Sequence, residues 1–389
     1  MMLIDRKISP FLRSALRKFP AVVVTGPRRA GKTTLLRSAV PGAQYILLED
    51  PDIRERVRSD PRGFLDGLRP PVILDEIQNT PQLLNYIRTL IDTHPRKTGQ
   101  WLFTGSQEAP LMQGITESMA GRATILQLLP FSLAETPRVS LLLGGFPEVV
   151  LHPKSRNLWF SSYLQTYIER DVRSIANVRD LPTFRRFLSL LASRHGQVLN
   201  RSDIAAPLGV SVPTISEWLR ILEITGQVIL VSPYFENFGK RLIKSPKIYW
   251  CDTGLACHLL GIESQAELER SPFLGSIFEG SVAAEILKSQ INRGRRKELY
   301  YFRDQQGLEV DFLLPQPHSR FWLVEAKASK TVQSSMASPM LALSRSAGHR
   351  ASRCIVVHRL AQSGREFSAL ARGVEAKTLE RFAAEINIA

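Results

Sequence analysis

Cysteine is scarce: the 389 residues hold three, Cys251, Cys257 and Cys354. Three thiols make no disulfide framework, which points to a reduced, cytoplasmic compartment. Cys251, Cys257 and His258 stand close together but lack paired C-x-x-C spacing, which argues against a zinc site. No apolar run is long enough to cross a bilayer, and the N-terminus has no apolar signal-peptide core, so no membrane anchor is expected. Acidic residues are in deficit as well: 36 Asp and Glu face 51 Lys and Arg, for a formal net charge of +15. Residues 1–150 hold 19 basic and 14 acidic side chains, whereas 151–389 hold 32 and 22, so most of the excess lies in the later part. That balance suits a polyanion such as nucleic acid, or an acidic membrane surface. A basic surface with no specific partner is the alternative.

What is present is organised around one stretch, Gly26-Pro27-Arg28-Arg29-Ala30-Gly31-Lys32-Thr33-Thr34, which fills G-x-x-x-x-G-K-[ST] at every position. The β-branched run Ala21–Thr25 before it reads as a buried strand, and Leu35-Leu36-Arg37-Ser38 after it reads as an opening helix. In that context the glycines let backbone N–H groups turn toward a triphosphate, and the helix N-terminus adds its positive end. ATP is the expected cofactor, with Lys32 on its β- and γ-phosphates and Thr33 on Mg²⁺.

A second strand reads at Gln44–Leu48, and Val72-Ile73-Leu74 runs as a third into Asp75-Glu76. Asp75 can hold the water shell of Mg²⁺, and Glu76 can orient and polarise the attacking water. Trp101-Leu102-Phe103 forms a fourth strand, after which Thr104 or Ser106 can sit beside the γ-phosphate; an ordinary polar strand end is the alternative. Arg122 precedes a fifth strand, Ala123–Leu128. From there an arginine can reach the nucleotide of a neighbouring subunit, which implies a homo-oligomer, or it can serve as a plain ion-pair residue. Five strands alternating with helices predict an α/β sandwich on a mostly parallel sheet: a nucleotide-binding core over 1–140.

Residues 141–190 read as a helical lid or linker, from which Arg170 or Arg173 can reach a phosphate. Over 191–262 the stretch LGVSVPTISEWLRIL places a turn between two helices, and strand-like Val228–Val231 follows, the pattern of a winged helix-turn-helix. Thr214, Ser216 and Arg220 fall on the polar side of the second of those helices, and Lys240, Arg241, Lys244 and Lys247 fall in the expected wing. DNA is the expected partner, with the helix in the major groove and the wing on phosphates. Docking of another protein is the alternative, because Arg220 is the one cation on that helix and Glu217 opposes it.

Residues 265–389 read as helix, three strands, helix, strand. Glu309 and Asp311 share one face of the second strand, as Glu325 and Lys327 share one face of the third. Asp311 and Glu325, with Glu279 from the helix, can bind Mg²⁺ through oxygen, and Lys327 can stabilise an oxyanion or help deprotonate water, which is what metal-dependent phosphodiester cleavage needs. A structural charge cluster on a retained fold is the alternative.

The stretches GPRRAGKTTLL, VILDEIQ, FTGSQ, MAGRATILQLLPFSLAE, GGFPEVV, YIERDV, KSPKIYWCDTGLACHLLGI, FEGSVAAEI, EVDFLL and VEAK span nearly the whole chain. In them it resembles the prokaryotic, archaeal-ATPase-like AAA-type proteins that carry a C-terminal domain of unknown function. The resemblance implies a P-loop NTPase core of AAA type on a parallel five-stranded sheet, a winged helix and an α/β restriction-endonuclase-like domain of the PD-(D/E)xK type. It also implies Gly31, Lys32 and Thr33 at the nucleotide, Asp75 and Glu76 at metal and water, and Arg122 at the finger position. The expected function is an ATP-hydrolysing protein that engages DNA, with a Mg²⁺-dependent nuclease domain. Its competitor is a nucleotide-driven switch or scaffold whose later domains dock proteins.

Overall fold

The computed structural model describes residues 3–105, 118–168, 180–234, 245–359 and 369–387; Ser106, Arg170, Arg173, Lys240, Arg241 and Lys244 lie outside them. The chain forms two compact units: Met1–Phe131 with Ile224–Gly226 and Ile291–Arg295, and the remainder from Ser132 onward.

In the first unit, helix α1 (Ser9–Lys18) leads into strand β1 (Ala21–Thr25). Then come α2 (Lys32–Ala39), β2 (Gln44–Leu47), α3 (Pro51–Ser59), α4 (Pro61–Asp66), β3 (Val72–Asp75), α5 (Leu83–Thr93), β4 (Trp101–Thr104) and β5 (Ala123–Gln127). The strands pair in parallel in the order β2-β3-β4-β1-β5. All five residues of β1 are buried, as a central parallel strand covered on both faces requires. Alternate residues serve opposite faces: Val22 and Val24 pack with Ile8, Leu12, Leu35 and Leu36, and Ala21 and Val23 pack with Val57, Phe64 and Ile87. Helices α1 and α2 therefore cover one face, and α3, α4 and α5 the other. Because the strands run in parallel, the carboxyl ends of β1, β3 and β4 meet at one edge, carrying Thr25, Asp75 and Thr104.

The second unit opens with α6 (Pro147–Leu151), α7 (Arg156–Tyr163), α8 (Leu181–Ser193), α9 (Arg201–Leu208) and α10 (Val212–Ile224). Strands β6 (Val228–Pro233) and β7 (Lys247–Trp250) form an antiparallel pair with Val228 opposite Trp250. Helices α11 (Thr253–Leu259), α12 (Gln265–Arg270) and α13 (Leu274–Asn292) lead to β8 (Tyr300–Arg303), β9 (Glu309–Gln316), β10 (Arg320–Lys327), α14 (Ser338–Ala347) and β11 (Ala351–His358). The helix-strand order read from 265–389 ends there, and the structure adds β12 (Ala369–Ala371), β13 (Val374–Thr378) and α15 (Leu379–Ile386).

Packing in this unit runs across the expected segment borders. One apolar core joins Phe146, Phe160 and Tyr163 to Phe184, Phe187 and Trp218 and on to Ile248, Trp250 and Leu255. The sheet is also shared: its order is β12-β13-β11-β10-β9-β8-β6-β7. Ser232 and Pro233 at the end of β6 pair in parallel with Tyr300 and Tyr301 of β8, so the hairpin and the C-terminal strands form one continuous surface.

Asp252 explains two of the glycine-bearing stretches. Its carboxylate caps α11 by accepting from the Leu255 N–H at 3.0 Å, and it accepts from the Gly145 N–H at 2.7 Å. The two backbones meet so closely that a Cβ on Gly254 would lie 2.3 Å from the Leu143 carbonyl oxygen and 2.8 Å from the Gly144 nitrogen. Those neighbours are main-chain atoms and cannot swing aside. Gly254→Ala should therefore destabilise the second unit by about 1–3 kcal/mol, seen as a lowered denaturant midpoint with an unchanged slope; an unchanged midpoint would show that the contact yields.

Candidate functional site

β1 ends at Thr25, and the chain turns through Gly26–Gly31 before α2 starts at Lys32. Gly26 has φ +134°, and a Cβ there would lie 2.1 Å from the Leu128 carbonyl oxygen, so the turn admits glycine alone. Pro27 and Ala30 are buried, Arg28 is half-buried, and Arg29 and Thr34 are exposed. Lys32 is buried and donates to the carbonyl oxygens of Gly26 at 3.1 Å and Pro27 at 3.0 Å, which lays its ammonium along the loop.

The carboxylate of Asp75 gathers three hydroxyls. Thr33 Oγ1 lies 3.0 Å from both carboxylate oxygens, Tyr45 donates to Oδ2 at 2.7 Å, and Thr104 Oγ1 donates to Oδ1. Burial, followed by the bond to Asp75, raises the Tyr45 pKa above the ordinary phenol value, so the phenol stays a donor. Thr104 is fully buried and also accepts from the Glu76 N–H at 3.0 Å. It thus positions the two acids from the strand end expected beside the γ-phosphate. Glu76 itself sits in the left-handed region at φ 59°, an unusual backbone for a non-glycine residue at a site of this kind. Its Oε2 is 3.7 Å from Arg28 Nη1 and accepts from the Gln78 side-chain amide.

Thr33 and Asp75 are adjacent hard oxygen donors and fit the Mg²⁺ that accompanies a nucleotide. With Mg·ATP bound, these two would hold the ion or its waters, and the ion would neutralise phosphate charge. Tyr45 was not singled out from the sequence. No local signal in Gln44-Tyr45-Ile46-Leu47 marks it, since the parallel register that sets Leu47 beside Asp75 is what brings it to the site.

Arg122 lies at the other end of the sheet. Ala123 pairs with Ala21 at the start of β1, roughly 17 Å along the strand from the loop at about 3.3 Å per residue. It cannot serve its own subunit's loop from there. Its guanidinium forms a two-pronged pair with Asp92, at 2.6 and 2.9 Å, on a partly exposed surface. Any role at a neighbour's phosphate requires that pair to open.

In the second unit, β9 and β10 bring Asp311 and Glu325 together, with Asp311 accepting from the Ala326 N–H at 2.9 Å. Lys327 pairs with Glu325 Oε1 at 2.6 Å. The surprise is Lys247, expected in an exposed wing as a phosphate contact. It is 2% exposed on β7, and its ammonium lies 2.8 Å from Glu279 and 3.5 Å from Asp311 and contacts Glu309 as well. A buried ammonium fixed among carboxylates is no DNA contact, so that expectation is corrected. The spelling Lys-Ile-Tyr-Trp held the cue: Ile248 and Trp250 enter the helical core, which turns Lys247 and Tyr249 to the other face. There Tyr249 donates to Glu279 at 2.5 Å.

Burial works against the Lys247 ammonium, but Glu279, Asp311 and Glu309 outweigh it and hold its pKa above the usual lysine value. Burial and then Asp311 raise the pKa of Glu279 and of Glu325, against the pull of their lysines. These residues do not fit the expected Mg²⁺. A divalent ion on the same oxygens would stand about 4 Å from the ammonium, a repulsion of about 8 kcal/mol at an effective dielectric constant of 20. Among the described residues no group of three His, Cys, Asp or Glu is disposed to hold a metal ion.

The polar side of α10 is tied to itself. Arg220 binds Glu217 in two-pronged fashion at 2.6 and 3.0 Å. Thr214 is bonded to Ser211 at 2.8 Å, and Ser216 donates to the Val212 carbonyl at 3.0 Å.

Tyr45→Phe removes one of three donors from Asp75 without altering the volume of β2. It should raise by about ten-fold the Mg²⁺ concentration that supports half-maximal ATP turnover, as loss of an outer partner does. Phosphate release measured against Mg²⁺ checks this; an unmoved midpoint removes Tyr45 from the site.

Residues 18–136 match an AAA domain. Residues 135–266 and 274–370 match two domains of unknown function, DUF8612 and DUF4143. Among solved structures, the Walker-type ATPase PABY2304 of Pyrococcus abyssi is similar with a TM-score of 0.42 and 18% identity, over 66% of this chain and 96% of that one. No described helix is long and apolar enough to cross a membrane. The uncharacterized proteins Rv2008c of Mycobacterium tuberculosis and Mb2031c of Mycobacterium bovis are each 34% identical over 318 residues, which is 80% of this chain and 71% of theirs. The chain belongs to the same family as these mycobacterial proteins and carries an AAA domain ahead of two domains of unknown function.

Proposed function

We propose that this protein binds and hydrolyses ATP with Mg²⁺ at Gly26–Thr34, in the cytoplasm, and couples that cycle to DNA. The observation that carries the ATPase reading is the convergence of Thr33, Tyr45 and Thr104 on Asp75, next to Glu76 and the Lys32 loop. In this reading the loop N–H groups and Lys32 take the phosphate chain, and Thr104 or Ser106 senses its γ-phosphate. Glu76 accepts the proton of the attacking water, and Arg28 steadies its carboxylate. Arg122 acts on the nucleotide of a second copy, which makes the working form a homo-oligomer.

For DNA, we take α8, α9, α10 and the β6–β7 hairpin as a winged helix, and 265–389 as a restriction-endonuclease-like domain that makes no metal-dependent cut. Support comes from the helix-turn-helix spacing, the basic excess of residues 151–389 and the cluster Lys240, Arg241 and Lys244. The second reading is a nucleotide-driven switch that docks proteins. The Arg220–Glu217 pair favours it, since that pair neutralises the one cation on α10.

Two outcomes test these readings. Lys32→Ala should lose ATP affinity, whereas Glu76→Gln should bind ATP normally and turn over at least about 100-fold more slowly. Wild-type turnover in Lys32→Ala would sink the site assignment. Duplex DNA binding should weaken with salt, and changing Lys240, Arg241 and Lys244 together should shallow the slope of log K against log salt by about 2.7, at about 0.9 per phosphate contact. Unchanged affinity and slope in a gel-shift series, with and without ATP, would favour the protein-docking switch.

A further inference from the structure

We propose that Lys247 is the resident cation of the carboxylate cluster in the second unit. Its ammonium takes the place a divalent ion would need, so the folded protein excludes metal there, and removing this one charge opens a divalent-cation site. The inference stands apart from the ATPase reading and uses none of its residues.

The geometry is that of a filled cation site. Glu279 from α13 and Glu309 and Asp311 from β9 converge on one Nζ atom, which is delivered from β7. Three elements far apart in sequence supply the acceptors and the donor, and Tyr249, two residues along the same strand, fixes the Glu279 carboxylate from the side. Lys327 does not compete for this position, because it pairs with Glu325 Oε1. Glu325 Oε2 is buried without a hydrogen-bond partner, although the residue is 4% exposed. An unpaired buried carboxylate oxygen costs stability unless a cation comes near. The donors left when the ammonium is deleted are Glu279, Glu309 and Asp311. All are hard oxygens, which select Mg²⁺ or Mn²⁺ over softer ions. The charge account agrees. One ammonium compensates a cluster that would otherwise concentrate negative charge in a buried place, and a metal added on top of it would meet a like charge.

The experiment is Mn²⁺ titration of the full-length, nucleotide-free protein, with free Mn²⁺ read by electron paramagnetic resonance and stability read by thermal melting. Wild type should show no stoichiometric micromolar site and no Mn²⁺-dependent rise in its melting temperature. Lys247→Met should gain one site per chain and melt higher with Mn²⁺ than without, and Lys247→Met with Asp311→Asn should lose both effects. Lys247→Arg, which keeps the charge, should stay metal-free. A micromolar site in wild type that disappears in Asp311→Asn overturns the proposal. So does a folded Lys247→Met that binds no Mn²⁺. If Lys247→Met lacks a cooperative transition without metal, Mn²⁺ should restore one, and failure to do so counts against the proposal equally.

Discussion

Burial of a single ammonium group constrains how the second unit can pack. Taking an ion out of water costs several kcal/mol even after relaxation, and only well-placed counter-charges offset it. Lys247 meets those counter-charges on α13 and β9. The hairpin, the long helix and the central strands therefore have to come together in one register, because a slip of one residue on β7 would turn the lysine into the apolar core and Ile248 into the acids. This requirement agrees with the strand pairing between β6 and β8 and with the grouping of residues from Ser132 onward into one compact unit.

The first unit has a centre of the opposite sign. There a carboxylate, Asp75, is surrounded by donors, and the donors come from the helix after the loop, from β2 and from β4. A parallel sheet makes this possible, since its strand ends share an edge. The two centres differ in what they admit. Asp75 has neutral hydroxyls for partners and no fixed positive charge among its hydrogen bonds described above, so a hydrated cation can approach. The acids around Lys247 are already compensated.

Much of the first unit was legible in the sequence. A β-branched run, a glycine loop and a helix fix one another through local geometry, and the expected strands match β1 through β5 to within a residue at either end. Asp75 and Glu76 could be read because they end an apolar run. Tyr45 could not, because its role depends on the pairing of β2 with β3, a long-range fact. In the second unit the elements were largely visible, yet Lys247 was assigned to the solvent. Basic residues near a hairpin usually stay solvated, and its company of lysines and arginines suggested the same. Only the alternation with Ile248 and Trp250 marked it as turned inward, and its partners lie 32 to 64 residues away. Metal donors were inferred from carboxylates alone, so the cation already supplied by the chain was missed.

The pairing of Ser232 and Pro233 with Tyr300 and Tyr301 has a consequence for how such a protein can be divided. Cut between α12 and α13, the C-terminal part would keep β8 with one side stripped of its neighbour, an open edge that invites strands from other molecules. The same cut would take away the lysine and leave Glu279, Glu309 and Asp311 mutually repelling. The piece that can be inherited, swapped or expressed as a module thus begins no later than the hairpin. Gene fusions or truncations that respect only the sequence boundary near residue 265 would yield a domain with a sticky flank and an uncompensated negative centre.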